Sequence, residues 1–302
     1  MPRDNGFRGF SDIHPDLRAI ARFLPRAFPS PGSLRLFRAA ERLPQWRVAK
    51  GVEVLTLRSG RGVRLHRPPA TQGAAPALLW IHGGGLVLGK PAHTDDLCHR
   101  LSRTLGITVA APEYRHAPEH TYPAALDDCY EALQWLASLP AVDASRVSIG
   151  GESAGGGLAA ALAFMIRDRG EICPVLQLLS YPMLDDRTVS KPAAAHNYRL
   201  WNARMNQSAW AWYLGQADPD VAVPARRIDL AGLPPAWIGV GTADLFYHED
   251  VAYCERLRSA GVPCQLEVVD GAFHGFDRVA QRTSVARAFF ENQCEALRQA
   301  LG

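Results

Sequence analysis

The chain has 302 residues, of which 47% are hydrophobic and 21% are charged, and its formal net charge is +3. This length allows a large α/β domain with a full hydrophobic core and an appended cap. The small net charge, without a long run of Lys or Arg, argues against nucleic acid as a partner.

The first 45 residues precede the predicted sheet. They are rich in Arg, Phe and Leu at helical spacing, which predicts the N-terminal part of a helical cap over residues 1–45. Residues 46–302 are then predicted to form the main α/β domain, which contains the sheet. A second piece of the cap is expected as an insertion at about 185–225, a segment that does not fit the pattern of the sheet.

Two features concern the cellular compartment. The N-terminal residues 1–8 lack the apolar core of a signal peptide, and the longest apolar run, 154–166, is too short to cross a bilayer. The six cysteines are dispersed without a C-x-x-C pair, which is typical of reduced, buried thiols. We therefore expect a cytoplasmic protein without a membrane span.

Short apolar runs separated by helix-length segments organise the rest of the chain. The alternating runs 52–57 and 63–66 predict a leading β-hairpin. Six further runs predict a parallel sheet covered on both faces: 77–81, 107–111, 147–149, 175–180, 237–240 and 266–269. Helices are predicted at 124–139 and 284–301. The fold class is therefore α/β, with a doubly wound, mostly parallel sheet.

A triple glycine, in the run His82-Gly83-Gly84-Gly85, directly follows the predicted strand 77–81. Backbone amides without a neighbouring Cβ can approach the oxyanion that develops during attack on a carbonyl, together with the amide of Ala154. The run therefore predicts an oxyanion loop. His82 is interpreted as a residue that positions this loop.

Ser153 lies at the centre of a nucleophile-elbow motif, Gly151-x-Ser153-x-Gly155. In such an elbow a strand turns sharply into a helix, and the serine takes a positive φ. The residues two positions away must then lack bulk, as glycine does. A strand-like run, 146–149, precedes the motif and an apolar stretch, 154–166, follows it. The sequence therefore predicts Ser153 as a catalytic nucleophile.

Hydrolases of this fold carry their acid and base after the serine, in the order Ser, Asp or Glu, His. Asp244 follows the predicted strand 237–240 and His274 follows strand 266–269, so both are expected near Ser153 at the carboxyl ends of the strands. His274 would take the proton of Ser153, and Asp244 would orient the imidazole. Three other carboxylates stay open as the acid: Glu249, Asp250 and Asp270.

Three further motifs suggest cofactors or metals, but none of them requires one. Residues 84–90 nearly match a P-loop, yet Pro91 stands where a magnesium-binding Ser or Thr is needed. Residues 155–160 match a dinucleotide motif, but the next strand ends without an acidic residue for a ribose. A last group has metal-ligand side chains in a pattern that a solvated helix start also shows: His93, Asp96 and His99. We expect no cofactor and no metal.

Taken in order, these motifs resemble those of the hormone-sensitive-lipase-type esterases, a branch of the α/β-hydrolases with an HGGG loop before a G-D-S-A-G-G elbow. The resemblance covers roughly residues 77–276 and includes the blocks 113–120, 123–128, 181–185 and 274–276. It implies a two-part cap, an oxyanion hole formed by Gly84, Gly85 and Ala154, and hydrolysis of short- to medium-chain acyl esters without a cofactor. It also allows a homodimer formed through the edge of the sheet.

Four positions depart from the family pattern. Glu152 replaces the usual Asp, Gly157 stands where Asn is common, His116 replaces Leu, and Leu245 replaces Pro. At a helix N-terminus, Glu152 is expected to be a surface or cap-contacting carboxylate. None of the four departures removes a predicted catalytic group.

We predict a serine carboxylesterase whose partner is a small-molecule ester. A small-ligand receptor on the same fold is the alternative from another class, but such receptors lack the catalytic histidine chemistry, and His274 argues against it. A lactonase, an amidase or a deacetylase also stays open, because the same triad attacks any sufficiently electrophilic acyl carbon. The aromatic residues of 185–225 fit either an apolar substrate pocket or simple packing: Trp201, Trp210, Trp212 and Tyr213.

Overall fold

The computed structural model of the chain describes residues 9–26, 32–41, 51–69, 73–189 and 198–302. Both predicted pieces of the cap are therefore described in part. The segments of these pieces that lie outside the described residues are 1–8, 27–31, 42–45 and 190–197.

The described residues contain one sheet of eight strands. In chain order the strands are β1 (Val52–Thr56), β2 (Gly62–His66), β3 (Ala75–Ile81), β4 (Thr108–Pro112), β5 (Val142–Glu152), β6 (Gln177–Ser180), β7 (Ala236–Gly241) and β8 (Cys264–Val269). They lie side by side in the order β1-β2-β4-β3-β5-β6-β7-β8. The pairs β1–β2 and β2–β4 are antiparallel, and all other neighbours are parallel. The predicted mostly parallel sheet is confirmed.

Helices occupy much of the remaining described chain. They are α1 (Arg18–Ala21), α2 (Leu34–Glu41), α3 (Asp95–Leu105), α4 (Ala124–Ala137), α5 (Ala154–Arg169), α6 (Ala203–Leu214), α7 (Pro219–Ala222), α8 (Tyr247–Ser259), α9 (Phe276–Val279) and α10 (Ser284–Leu301). Helix α10 begins where Thr283 accepts a hydrogen bond from the Ala286 amide, and α5 ends at Gly170 in the left-handed conformation. No described helix is long and apolar enough to cross a membrane.

The sheet separates two hydrophobic cores, as the alternation of side chains along β3 makes plain. Leu79 and Ile81 belong to one core, whereas Leu78 and Trp80 belong to the other. All four side chains are fully buried. A strand covered on both faces reads as a continuous apolar run, because successive side chains point to opposite sides.

The largest difference from the predicted strand bounds is in β5. The strand begins at Val142, whereas the apolar pattern predicts only residues 147–149. Its first half is polar and partly exposed, and there Arg146 forms an ion pair with Asp143 at 2.7 Å. Val142 pairs with Ala75 of β3, and the register shifts before Val147 pairs with Ala77. The polar residues lie in the irregular stretch between these two pairs, which an apolar pattern does not mark.

The N-terminal segment contacts both the segment before α6 and the loop after β8. Arg199 Nε donates to the Ala21 carbonyl at 2.8 Å, and the Leu200 amide donates to the Pro25 carbonyl at 2.9 Å. The His14 amide donates to the carbonyl of Gly271 at 3.0 Å. Residues 9–26 therefore touch the loop that carries His274 as well as the second predicted piece of the cap.

Candidate active site

Ser153 occupies a strained turn between β5 and α5, with φ +56° and ψ −121°. Few residues other than glycine adopt this backbone, and such strain is typical of functional sites. The motif glycines are required by contact: a Cβ on Gly151 would lie 2.4 Å from the Gly155 carbonyl oxygen, and one on Gly155 would lie 2.0 Å from that of Ile81. The turn thus has the geometry that the elbow motif predicts.

The structure brings Ser153, His274 and Asp244 together. His274 Nε2 lies 2.9 Å from Ser153 Oγ, and His274 Nδ1 lies 2.8 Å from Asp244 Oδ2. The other Asp244 oxygen, Oδ1, accepts the Phe246 amide at 3.0 Å, and the Asp244 side chain has no solvent exposure. A serine, an imidazole and a buried carboxylate in this chain of hydrogen bonds can pass a proton from hydroxyl to imidazole.

Two aromatic rings hold the imidazole of His274 from its sides. The ring of Tyr181 lies edge to face at 4.9 Å between centroids, and the ring of Phe246 does so at 5.2 Å. Tyr181 itself has an unusual φ of +37°, and its hydroxyl donates to Asp277 at 2.7 Å. Packing on both sides limits rotation of the imidazole, which keeps its two nitrogens aimed at the serine and the aspartate.

The predicted oxyanion loop follows β3 and borders the same cavity as Ser153. Gly84 has φ +125°, and a Cβ there would lie 1.9 Å from the Leu88 carbonyl oxygen. Gly85 has φ +61°, and a Cβ there would lie 2.1 Å from the indole of Trp201. Only glycine therefore fits at either position.

His82 is buried behind this loop. Its Nδ1 lies 2.7 Å from the Gly83 carbonyl oxygen, and its ring stacks on Tyr114 at 4.3 Å. Burial is the main cause that lowers the pKa of His82 to about 3, so the imidazole is neutral at physiological pH and can donate from Nδ1. These contacts fit the predicted role of His82 in positioning the loop.

A cavity of about 230 Å³ opens over the serine. Its walls combine the glycine loop, Ser153 and His274 with residues from the end of the loop before α6 and from α9: Leu200, Trp201, Arg278 and Val279. Trp201 is thus a wall of the site, with its indole Nε1 donating to Asn206 at 3.2 Å. The sequence left open whether the aromatic residues of 185–225 line a substrate pocket or only pack in the core. Trp201 does both, because it lines the cavity and is buried.

The three alternative acids lie elsewhere. Glu249 accepts the amides of Leu184 and Asp185 at 2.7 and 3.2 Å and also the Thr188 hydroxyl. Asp270 is exposed and accepts from the Thr242 hydroxyl at 3.0 Å. Among the described residues, Asp244 is the carboxylate that hydrogen-bonds to His274.

Asp250, the third alternative, is fully buried in the first turn of α8, and neither carboxyl oxygen hydrogen-bonds within the described part of the chain. Burial, followed by the charges of Glu249 and Asp244, raises the pKa of Asp250 well above its ordinary value. The folded state therefore holds this proton more tightly than the unfolded chain. Stability from this group is present below the unfolded pKa and is lost as pH rises toward the folded pKa.

Replacing Asp250 by Asn should remove this pH-dependent loss. The buried carboxyl must lose its proton as pH rises, which destabilises the folded state, whereas the amide of Asn carries no such proton. We expect the Tm difference between D250N and wild type to grow in favour of D250N from about pH 4 to about pH 8. Thermal unfolding at both pH values measures this, with Asp270→Asn, at an exposed aspartate, as the control. A D250N difference independent of pH would contradict the assignment.

Glu152 is not a surface carboxylate, which was one of the two positions expected for it. Its side chain is only 12% exposed and borders the cavity, and its Oε2 lies 3.3 Å from Arg278 Nε. Burial raises the pKa of Glu152, and the positive charge of Arg278 lowers it in part. Arg278 carries no sequence signal of function, since no local motif contains it.

The described residues hold no group of three or more His, Cys, Asp or Glu side chains arranged to bind a metal. His93 lies in a single 3₁₀ turn at Pro91–Thr94, ahead of α3, and its carbonyl accepts from Arg278 at 2.5 Å. Lys90, the last residue of the P-loop-like run, precedes this turn.

Several known proteins that this chain resembles are named as esterases. A family model described as alpha/beta hydrolase fold matches residues 78–278. A carboxylesterase of Mycobacterium tuberculosis, NlhH, is 31% identical over 96% of this chain and 97% of its own length. An ethyl acetate hydrolase of Pseudomonas putida is 34% identical over 82% of this chain and 81% of its own length.

A solved structure agrees with these relatives. A bacterial heroin esterase superposes with a TM-score of 0.85 at 33% identity, covering 97% of this chain and 99% of its own. The predicted carboxylic ester hydrolase is confirmed by these comparisons. The glycine loop, the elbow and the residues hydrogen-bonded to Ser153 thus occur on a chain that belongs to the α/β-hydrolase fold family, as an esterase of its hormone-sensitive-lipase-like branch.

Proposed function

We propose that this esterase cleaves its substrates through an acyl-enzyme on Ser153, with His274 as general base and Asp244 as its orienting carboxylate. The observation that carries the proposal is the continuous pair of hydrogen bonds, 2.9 Å and 2.8 Å, from Ser153 through His274 to Asp244. Asp244 accepts from Nδ1–H and so keeps Nε2 free to receive the serine proton.

The reaction proceeds in two balanced halves. Ser153 Oγ bonds to the acyl carbon while its proton moves to His274 Nε2, and the carbonyl oxygen becomes an oxyanion. Collapse of this intermediate breaks the bond to the alcohol, which leaves with the proton from His274. Water then attacks the acyl-enzyme in the same manner, and the acid is released with Ser153 restored.

The oxyanion would be stabilised by the amides of Gly84, Gly85 and Ala154. Gly84 and Gly85 line the cavity beside Ser153, and Ala154 is the first residue of α5, whose amides point toward the turn. Losing one such donor typically costs about 3 kcal/mol of transition-state stabilisation. Because the glycines admit no Cβ, their backbone can approach the substrate oxygen closely.

Short- to medium-chain acyl esters are the substrate class that the cavity favours. Its volume of about 230 Å³ is below the roughly 300 Å³ at which pockets for drug-sized ligands begin. Hydrolysis of p-nitrophenyl esters with acyl chains of increasing length tests the proposal directly. Folded wild-type protein that binds these esters without turnover would favour the receptor alternative, and turnover of lactones or amides alone would favour those hydrolases.

Trp201 should limit acyl length, because its indole packs on Gly85 and walls the cavity. We expect Trp201→Leu to raise the ratio of kcat/KM for an octanoyl ester over an acetyl ester about tenfold, since each accommodated methylene contributes roughly 1 kcal/mol or more. Trp210→Leu is the matched control: Trp210 is equally buried in α6 but does not line the cavity. An equal change in both variants, or none in Trp201→Leu, would contradict the assignment.

We also propose that residues 1–45 and 185–225 form the cap. The hydrogen bonds between Arg199 and Ala21 and between Leu200 and Pro25 support a single two-part cap.

We further propose that two copies of the chain associate through the edge strand β8. Val268 on β8 is 40% exposed, and β8 is an edge strand of the described sheet. An exposed edge strand is a template for pairing with another chain. Light scattering of wild type and of a variant with Val268→Lys tests the dimer, which the lysine should weaken.

A further inference from the structure

Arg278 bridges segments that come from distant parts of the chain. It lies in α9, four positions after His274, and its Nε is 3.3 Å from Glu152 Oε2. Its Nη2 donates to the carbonyl of His93 at 2.5 Å. The arginine thus connects the segment after His274 both to the elbow and to the turn that precedes α3.

Glu152 extends the connection to the oxyanion loop. It immediately precedes Ser153 in the chain, and it packs against Gly83: a Cβ on Gly83 would lie 3.5 Å from Glu152 Cγ and 3.3 Å from Ser153 Cβ. The Gly83 amide also acts to lower the pKa of Glu152, as a donor to the carboxylate does. The Glu152–Arg278 pair therefore touches the elbow, the glycine loop and the histidine segment together.

The pair is enclosed and electrostatically coupled to its surroundings. The side chain of Glu152 is 12% exposed and that of Arg278 is 20% exposed. Burial acts to lower the pKa of Arg278, but the carboxylates of Glu152 and Asp277 outweigh it and raise that pKa. The other titratable groups around the pair are Cys98, Tyr181 and His274. Removing the arginine would leave two partly buried carboxylates without their cation, which costs more than removing one partner of a solvent-exposed ion pair.

We propose that Arg278 is a positioning residue that, through Glu152, holds Ser153 and the oxyanion loop in register with His274. The inference rests on the roles proposed above for Ser153 and His274. A misplacement of about 1 Å between nucleophile and base is enough to slow the reaction on the order of a hundredfold. The elbow, the glycine loop and the segment after His274 must be positioned to that precision, and all three contact this one ion pair.

The test compares Arg278→Met with Arg226→Met. Arg226 pairs with Asp186 at 2.7 Å, and its exposure of 26% against 13% for Asp186 matches the pair near the serine, but it lies outside the residues that line the cavity. We expect R278M to lower kcat at least tenfold with KM changed less than threefold, because the triad rather than substrate binding is disturbed. R226M should keep the wild-type kcat.

Two readouts separate positioning from a merely structural role. In R278M the carboxylates of Glu152 and Asp277 lose their counter-charge and favour the protonated imidazole, so the acid limb of the kcat/KM profile should move to higher pH. In addition, the double variant E152Q/R278M should lose no more kcat than the worse single variant, because both changes break one interaction. Additive losses, or an acid limb that stays in place, would overturn the proposal.

Folding is checked by circular dichroism and Tm, and Arg278→Lys covers the case in which R278M does not fold. Lysine keeps the charge but, as a single point donor, cannot hold both Glu152 and the His93 carbonyl, so an intermediate kcat is expected. A wild-type kcat in R278K would overturn the proposal. Activity that survives Ser153→Ala would refute the proposed triad itself, whereas inactive S153A beside fully active R278M would refute the role of Arg278 alone.

Discussion

Replacing Ser153 by Ala is expected to lower kcat for p-nitrophenyl acetate by about 10⁵-fold or more. The nucleophile forms the covalent bond, and without Oγ there is neither an oxygen to attack the acyl carbon nor a proton for His274 Nε2 to accept. Residual turnover would come from the oxyanion amides and substrate binding alone. Steady-state kinetics on the purified variant measures the effect.

Ser148 provides the matched control for this substitution. It is a fully buried serine of β5, five positions before the nucleophile, and its hydroxyl has no hydrogen-bond partner within the described residues. Ser148→Ala should therefore leave kcat unchanged. Retained activity in S153A, with folding and Tm equal to those of wild type, would exclude Ser153 as the nucleophile.

Asp244→Asn should lower kcat about 10⁴-fold while leaving KM nearly unchanged. The amide can donate to His274 Nδ1 where the carboxylate accepted, which places the proton on the wrong nitrogen and removes the acceptor for the serine proton. The charge that stabilises the imidazolium is lost as well. The loss should therefore appear in kcat, because the triad acts mainly in the transition state.

The same substitution at the neighbouring carboxylates discriminates among the candidate acids. Glu249 is held by amides of the segment after β6, and Asp270 is exposed beside Thr242. Asp270→Asn and Asp250→Asn should each keep kcat within a few fold of wild type. A loss of 10⁴ in either of them, with D244N active, would move the acid away from Asp244.

The residues of the elbow and the glycine loop could be predicted because their requirements are local. A serine at positive φ between a strand and a helix needs small neighbours two positions away, and Gly151 and Gly155 record that need directly. Gly84 and Gly85 are required for the same kind of reason, because Leu88 and Trp201 lie where a Cβ would be. Steric rules of this kind can be read from a single stretch of sequence.

Predicting Asp244 and His274 as partners of Ser153 also required the order of strands in a parallel sheet. The carboxyl ends of parallel strands meet at one edge, so residues just after β7 and β8 converge on the end of β5. Among the four carboxylates, Asp244 is favoured because it directly follows a predicted strand. Glu249 and Asp250 fall within the next predicted helix, and Asp270 lies close to the histidine in sequence. The final distances of 2.8 and 2.9 Å depend on packing by Tyr181 and Phe246 that no pattern announced.

Glu152 and Arg278 mark the limit of sequence reasoning. A carboxylate at a helix N-terminus is ordinarily a solvated group, so its burial against an arginine from α9 could not be anticipated. The pairing depends on how the short helix after His274 docks on the elbow, a contact between segments far apart in the chain. Asp250 is a similar case, because the sequence does not reveal that both of its carboxyl oxygens are buried without a hydrogen bond from the described residues.

Mapping the site of covalent modification tests the proposed chemistry most directly. Paraoxon phosphorylates activated serines, and digestion with mass spectrometry then identifies the modified peptide. We expect one phosphoryl group per chain, located on Ser153, appearing in proportion to the loss of esterase activity and absent from S153A. Complete inactivation with Ser153 unmodified, or an equal rate of modification in S153A, would contradict its assignment as the nucleophile.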